Sequence, residues 1–263
     1  MDLGLKGKFA LVTAASRGLG YAAASAIAAE GAAVMICSRD REAIRRAASE
    51  ISGHSGAPVV PVVADVSAPA GIRRLERMVR EEFGTLHILI SNAGGPPRGD
   101  ILTMDEPEWR RGFELTLMST VRLVRAFLPG MIAQRWGRVV TITSVAAKQP
   151  INDLLLSAVF RPGVHALSKV VSNRHAGANV TVNTVCPGYI LTSRQKEILE
   201  ARAKAAGKAA ARLVREMTRE IPAGRMGRPE EIGEVIAFLA SERASYINGV
   251  NLLVDGGLAK GIY

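Results

Sequence analysis

The stretch Phe9-Ala10-Leu11-Val12-Thr13-Ala14-Ala15-Ser16-Arg17-Gly18-Leu19-Gly20 decides how this chain folds. A short apolar run, Phe9 to Thr13, passes through a glycine turn into a helical pattern at Tyr21 to Glu30. Strand, tight glycine turn and helix together make a phosphate-binding arrangement. Glycine lets the backbone approach a pyrophosphate, and the helix N-terminus offers free N–H groups and positive potential. A glycine turn can also do no more than join strand to helix, so the rest of the chain must agree.

Working outward, apolar runs at Ala33 to Cys37, Val59 to Val63, Ile88 to Ser91, Val139 to Thr143, Val180 to Val185 and Asn251 to Val254 read as buried strands. Helical patterns at Arg41 to Ile51, Ile72 to Phe83, Glu108 to Gln134 and Glu230 to Leu239 lie between them. That alternation implies right-handed crossovers and a doubly wound parallel α/β sheet. With no repeat, low-complexity tract or flexible linker, a single domain over residues 1–263 is expected. The stretch Ser193 to Ile221 exceeds an ordinary connection and is itself helical in pattern, so it reads as a lid inserted over the ligand side.

Composition fits this plan. Of 263 residues, 48% are hydrophobic and only 5% aromatic, so Ala, Val, Ile and Leu must build the core, as in helix-covered parallel sheets. The formal charge of +10 is spread widely, with its densest run from Arg194 to Arg219. No aromatic interrupts that run, which argues against a stacking platform for nucleic acid. Cys37 and Cys186 sit in apolar strands at a spacing that suits neither a metal nor a redox pair. Met1 to Lys8 lacks an apolar signal core, and no run approaches the roughly 20 apolar residues that span a bilayer, so a cytoplasmic protein without membrane partner is expected.

Five motifs now fall in order. Thr13 to Gly20 looks like TGxxxGxG with Ala14 for the first glycine; Asp65 and Val66 end the third strand; Ser91, Asn92, Ala93 and Gly94 match NNAG. Pro187, Gly188, Tyr189, Ile190, Leu191 and Thr192 match PGxIxT, and Val254 to Gly257 match VDGG. Over nearly its whole length the chain resembles the short-chain dehydrogenase/reductase family, near its β-ketoacyl-carrier-protein reductases. The resemblance implies a nicotinamide dinucleotide held by Thr13, Ala15, Ser16, Arg17, Gly18, Leu19 and Gly20 at the phosphate turn. Asp65 and Val66 would bracket the adenine, followed by Asn92, Ala93 and Gly94, while Pro187, Gly188, Ile190 and Thr192 would hold the nicotinamide side. The β-carbon of Ala14 would crowd the turn if that position needs positive φ.

Cofactor choice turns on the end of the second strand, where a carboxylate would accept from the ribose hydroxyls of NAD and repel a 2′-phosphate. That position is Ser38, followed by Arg39, and Asp40 reads as a cap for the helix at Arg41. Arg17 and Arg39 are expected to grip the phosphate of NADP(H), making NAD the lesser partner.

The family implies four catalytic residues: an Asn for a water relay, a Ser on the carbonyl oxygen, a Tyr that passes the proton and a Lys that lowers its pKa. Ser144 falls on the Ser. Thr116 takes the Asn position, Ser157 the Tyr position and Arg161 that of the Lys, where it would also meet the cofactor ribose. A Ser hydroxyl is a far weaker acid than a Tyr, and Arg stays protonated, so another donor is needed. Lys148, four residues past Ser144, is the candidate, with Tyr189 as a pocket wall. Pro162 and Gly163 predict that the helix carrying this pair starts near Arg161, which would leave Ser157 in the preceding loop. The substrate class implied is a ketone, a hydroxy compound or a 3-oxoacyl thioester. The basic residues Arg194, Lys196, Arg202, Lys204, Lys208, Arg212, Arg215 and Arg219 would favour an anionic one. A homotetramer is the expected assembly, built on the helices after Glu108 and Arg161 and on the last strand.

Overall fold

The computed structural model describes residues 1–205 and 209–262, so Lys208 and the middle of the expected lid lie outside the described residues. Seven strands, β1 (Phe9–Val12), β2 (Ala33–Ser38), β3 (Val59–Val63), β4 (Ile88–Ser91), β5 (Gly137–Ile142), β6 (Val180–Pro187) and β7 (Asn251–Val254), form one sheet. Their order is β3-β2-β1-β4-β5-β6-β7 and every pairing is parallel. The order reverses between β1 and β4, and a crevice at the carboxyl ends of the strands forms at such a reversal.

Helices α1 (Gly18–Ala29), α2 (Arg41–Ser55), α3 (Pro69–Phe83), α4 (Glu106–Phe113), α5 (Ser119–Ala133), α6 (Leu155–His175), α7 (Ser193–Ala205), α8 (Ala210–Thr218) and α9 (Pro229–Leu239) connect or cover the strands. Strand residues alternate between two apolar layers. Ala10, Val12, Val34, Ile36, Ile88 and Ile90 pack with α1, α2 and α9, whereas Leu11, Met35, Cys37 and Leu89 pack with α3 and α5. Each large side chain fully buried this way contributes about 1.5–3 kcal/mol. Both cysteines are free and buried, and burial pushes the Cys37 thiol up to about 12.

The helix expected over Glu108 to Gln134 starts at Glu106 and contains a π-helical turn, Glu114–Met118, between α4 and α5. This continuous helix and the one through Asn152–Ala178 are long and apolar enough to cross a membrane, with mean hydropathy 1.3 in each. Here they flank the sheet, and Leu123, Phe127 and Met131 enter its core.

The expected start of α6 is wrong. The helix begins at Leu155, so Ser157 lies inside it, and Pro162 is accommodated within it. Tertiary contacts override the proline. Leu156 is fully buried over Gly112, where a β-carbon would come within 2.6 Å of its Cδ1. Phe160 meets the rings of Trp109 and Phe113 edge-on at 5.9 and 5.8 Å. These contacts hold the first two turns helical against a cost of about 3 kcal/mol.

Candidate active site

The phosphate turn is built as its glycines require. Ala14 has φ +49°, the left-handed region that disfavours a β-carbon, so the departure from glycine leaves strain at this turn. Gly20 admits nothing larger, because a β-carbon there would lie 2.4 Å from the Ala14 carbonyl and 2.8 Å from Asn92 Nδ2. Arg17 is the extended N-cap of α1 and no side chain caps that helix, so its first amides remain free for an anion. Thr13 locks the neighbouring strand: its hydroxyl donates to the Asn92 carbonyl at 2.6 Å and accepts from the Asn92 amide at 2.8 Å. Asn92 Nδ2 donates to the Ala14 carbonyl, and Ala93 and Gly94 continue along the crevice. Residues Ala15, Ser16, Gly18 and Leu19 complete the turn, with the Thr192 methyl lying over Gly18.

At the end of β2 the helix cap expected at Asp40 is present. Asp40 accepts the Ala43 amide at 3.0 Å and is thereby a helix cap, leaving no carboxylate at Ser38. Asp65 accepts from the amide and hydroxyl of Ser67, and Val66 is buried beside it. Arg39 lines a cleft with α3, whereas Arg17 pairs with Glu197 of α7 at 3.1 Å.

In the segment expected to hold the nicotinamide, Pro187 ends β6 and the Gly188 amide donates to the Val254 carbonyl, while Ile190 bridges to Gly227. Thr192 accepts the Gln195 amide and starts α7. Helices α7 and α8, in the segment expected to form a lid, dock through Leu199, Leu213, Val214 and Met217 onto Val145, Ile221, Met226 and Leu258, with Tyr189 alongside. This segment therefore rests on Val145, the residue next to Ser144. Arg194 reaches over Gly95, its Nη1 lying 3.6 Å from where a β-carbon would stand.

The residues expected to act on substrate gather at the end of β5. Ser144 accepts the Ala146 amide, which leaves its own hydrogen free to donate. Arg161 Nε donates to Ser157 Oγ at 2.9 Å and Nη1 donates to the Ile142 carbonyl at 3.0 Å. Burial lowers the Arg161 guanidinium to about 10, still protonated at neutral pH. Lys148 is half-buried just after the short 3₁₀ turn that Ser144 caps. Thr116 lies in the π-helical turn, buried, and among the described residues neither its hydroxyl nor that of Thr141 in β5 has a partner. Both line a cavity of about 10 Å³ with Arg161, the threshold for one water.

Sequence reasoning missed a cluster beneath this pair. Thr143 donates to the Val185 carbonyl, so His165 Nε2, 3.0 Å from the hydroxyl, is the donor, and Cys186 Sγ lies 3.5 Å from the same nitrogen. Burial, then Lys148 and Arg161, lower His165 to about 4, so it is neutral near pH 7. His165 sits one helical turn past Arg161, a spacing that could have flagged it.

A parallel sheet reversed at β1 and β4, with a glycine cradle under an uncapped helix, is the scaffold of dinucleotide-binding α/β proteins. Residues 13–259 match the family model described as enoyl-(acyl carrier protein) reductase. The chain is 35% identical over 256 residues to the 3-oxoacyl-[acyl-carrier-protein] reductase FabG of Escherichia coli (strain K12), covering 97% of this chain and 99% of that one. It is also 35% identical over 268 residues to the uncharacterized oxidoreductase YvaG of Bacillus subtilis (strain 168), with full coverage of both. Among solved structures, L-sorbose reductase from Gluconobacter frateurii, complexed with NADPH and L-sorbose, superposes with TM-score 0.96 at 32% identity over all of both chains. Actinorhodin polyketide ketoreductase with NADPH gives 0.91 at 28%, over 97% of this chain and 98% of that one. The protein belongs to the short-chain dehydrogenase/reductase family, and its class is oxidoreductase.

Proposed function

We propose that this protein is an NADP(H)-dependent oxidoreductase that interconverts a ketone, or a 3-oxoacyl thioester, and its hydroxy form with a non-standard proton donor. The observation that carries the reading is the juxtaposition at the end of β5. Ser144 keeps a free hydroxyl hydrogen, and the Ser157–Arg161 pair is tied to the carbonyl of Ile142, two residues away. Bound NADPH would supply the hydride. Ser144 donates a hydrogen bond to the substrate oxygen, and the charge of Arg161 stabilises the alkoxide that develops there. Ser157 accepts from Arg161, so its own hydrogen is free to pass onward, and Lys148 is the ammonium that replenishes it. Neutral His165 is not the acid at pH 7.

Arg39 beside Ser38 supports NADP(H) over NAD, as do the NADPH complexes of the sorbose and polyketide reductases. Two measurements test the proposal. NADPH should bind at least about tenfold tighter than NADH by calorimetry, a difference of about 1.4 kcal/mol. Purified protein should also oxidise NADPH faster with some member of a ketone and acyl-thioester panel than without one. Tight NADPH binding with no such acceleration would favour a second reading, a sensor or scaffold that binds the cofactor without turnover. The weakness of Ser157 as an acid beside Arg161 supports that alternative.

Assembly belongs to the same proposal. Val159 and Val170 of α6 and Phe113 of α4 are exposed at 47%, 65% and 37%, an apolar face that a second copy would cover in a homotetramer. A monomer by light scattering at micromolar concentration refutes it.

A further inference from the structure

Arg161 carries a full positive charge into the protein with no carboxylate to meet it. Its Nε donates to Ser157 and its Nη1 to the Ile142 carbonyl, and among the described residues it forms no ion pair. A second cation adds to the excess, since Lys148 and Arg161 both push down the pKa of His165, which is itself neutral near pH 7. Neutral acceptors satisfy the hydrogen bonds of a buried guanidinium, but only an opposite charge offsets the cost of taking it out of water.

The small cavity against Arg161 offers such a charge a seat. Five hydroxyl residues line it, Ser91, Thr116, Thr120, Thr141 and Thr143, and no carboxylate does. Three of the hydroxyls are engaged: Ser91 pairs with Thr120 at 3.1 Å, and Thr143 donates to the Val185 carbonyl. Thr116 and Thr141 are 6% and 3% exposed, and their hydroxyls have no partner among the described residues. Two buried donors therefore stand beside an uncompensated cation, a set that selects an anion. A volume of about 10 Å³ admits one atom-sized guest, which rules out carboxylate, phosphate and sulfate. Water fits, but it brings no charge to set against Arg161.

We propose that Thr116, Thr141 and Arg161 form a halide site, and that chloride bound there is the buried counter-ion of Arg161. Each hydroxyl donates its hydrogen to the ion. Chloride is larger than water, and two hydroxyls bound to no other group are free to swing and admit it. The ion binds whether or not the protein turns over, so the inference goes beyond the function proposed above and is tested apart from it.

The test compares wild type with Thr116→Val/Thr141→Val, which keeps the shape of both side chains and removes both donors. Thermal unfolding is followed as sodium chloride replaces sodium gluconate at constant ionic strength, up to about 200 mM chloride. The wild-type melting temperature should rise by about 2 °C or more and saturate, as binding to the folded state requires. The double variant reports any general salt effect and should show less than half of that rise. Arg161→Gln should lose the rise as well. No rise in wild type, an equal rise in the double variant, or a full rise in Arg161→Gln overturns the proposal. Crystals of wild type grown in sodium bromide should show anomalous density between Thr116, Thr141 and Arg161, and density elsewhere only overturns the site. A bromide peak there without the difference in solution marks an adventitious ion only, and the proposal falls. Should the double variant not fold, Thr116→Val and Thr141→Val are read singly, and each should weaken chloride binding by at least about threefold in the same titration.

Discussion

Ser157→Tyr combined with Arg161→Lys tests whether the backbone is already poised for ordinary carbonyl reduction. The two positions sit on successive turns of α6, both ahead of Pro162, with Nε and Oγ 2.9 Å apart, so a phenol and an ammonium placed there would share one face of the helix. Burial lowers the Arg161 guanidinium to about 10, and the same burial would lower the pKa of a lysine placed there. A cation beside a tyrosine lowers its pKa from about 10, and a positioned general acid is worth about 10²- to 10⁴-fold in rate. NADPH oxidation with a ketone panel at pH 7 should therefore rise by at least about 100-fold, equivalent to about 2.7 kcal/mol. Ser157→Phe with Arg161→Lys controls for ring bulk. A double variant that folds, binds NADPH as wild type does and is no faster would refute the reasoning. Equal gains with phenylalanine would refute it too, because the hydroxyl would then be irrelevant.

Three further outcomes follow from the geometry. Ala14→Gly removes a β-carbon at φ +49°, relieving about 1–2 kcal/mol against about 0.5–1 kcal/mol of glycine entropy, so the melting temperature should rise by about 1–3 °C. Thr141→Val deletes a buried hydroxyl without a partner and should stabilise by about 1 kcal/mol in chloride-free urea unfolding; a loss instead would mean that water satisfies it. His165 has its folded pKa lowered from 6.5 to about 4, so the unfolded chain takes the proton first. That contribution is complete above about 6.5 and is lost as pH falls toward 4, about 3 kcal/mol in all, and His165→Gln should flatten the difference across that window.

Much of the fold was legible because its signals are local. Each apolar run became a strand within a few residues, and Asp40 was recognisable as a cap because capping depends only on the next three positions. The phosphate turn was equally local, including the crowding at Ala14. What escaped depends on distant partners. Pro162 reads as a helix start until Gly112, Trp109 and Phe113 are seen to hold Leu156 and Phe160 in place. The partner of Arg17 lies 180 residues away in the lid, beyond any spacing rule.

Pro162 has a consequence for motion as well. It has no amide hydrogen to offer the carbonyl four residues earlier, Ala158, so the ladder of α6 is interrupted between the turn bearing Ser157 and the long segment from Gly163 to His175. Local opening follows such breaks, because each part then unfolds with its own free energy. The amides of Leu155 to Arg161 are expected to exchange with solvent before those of the following segment do. The residues expected to handle the proton thus sit on the end of the helix that is expected to open first.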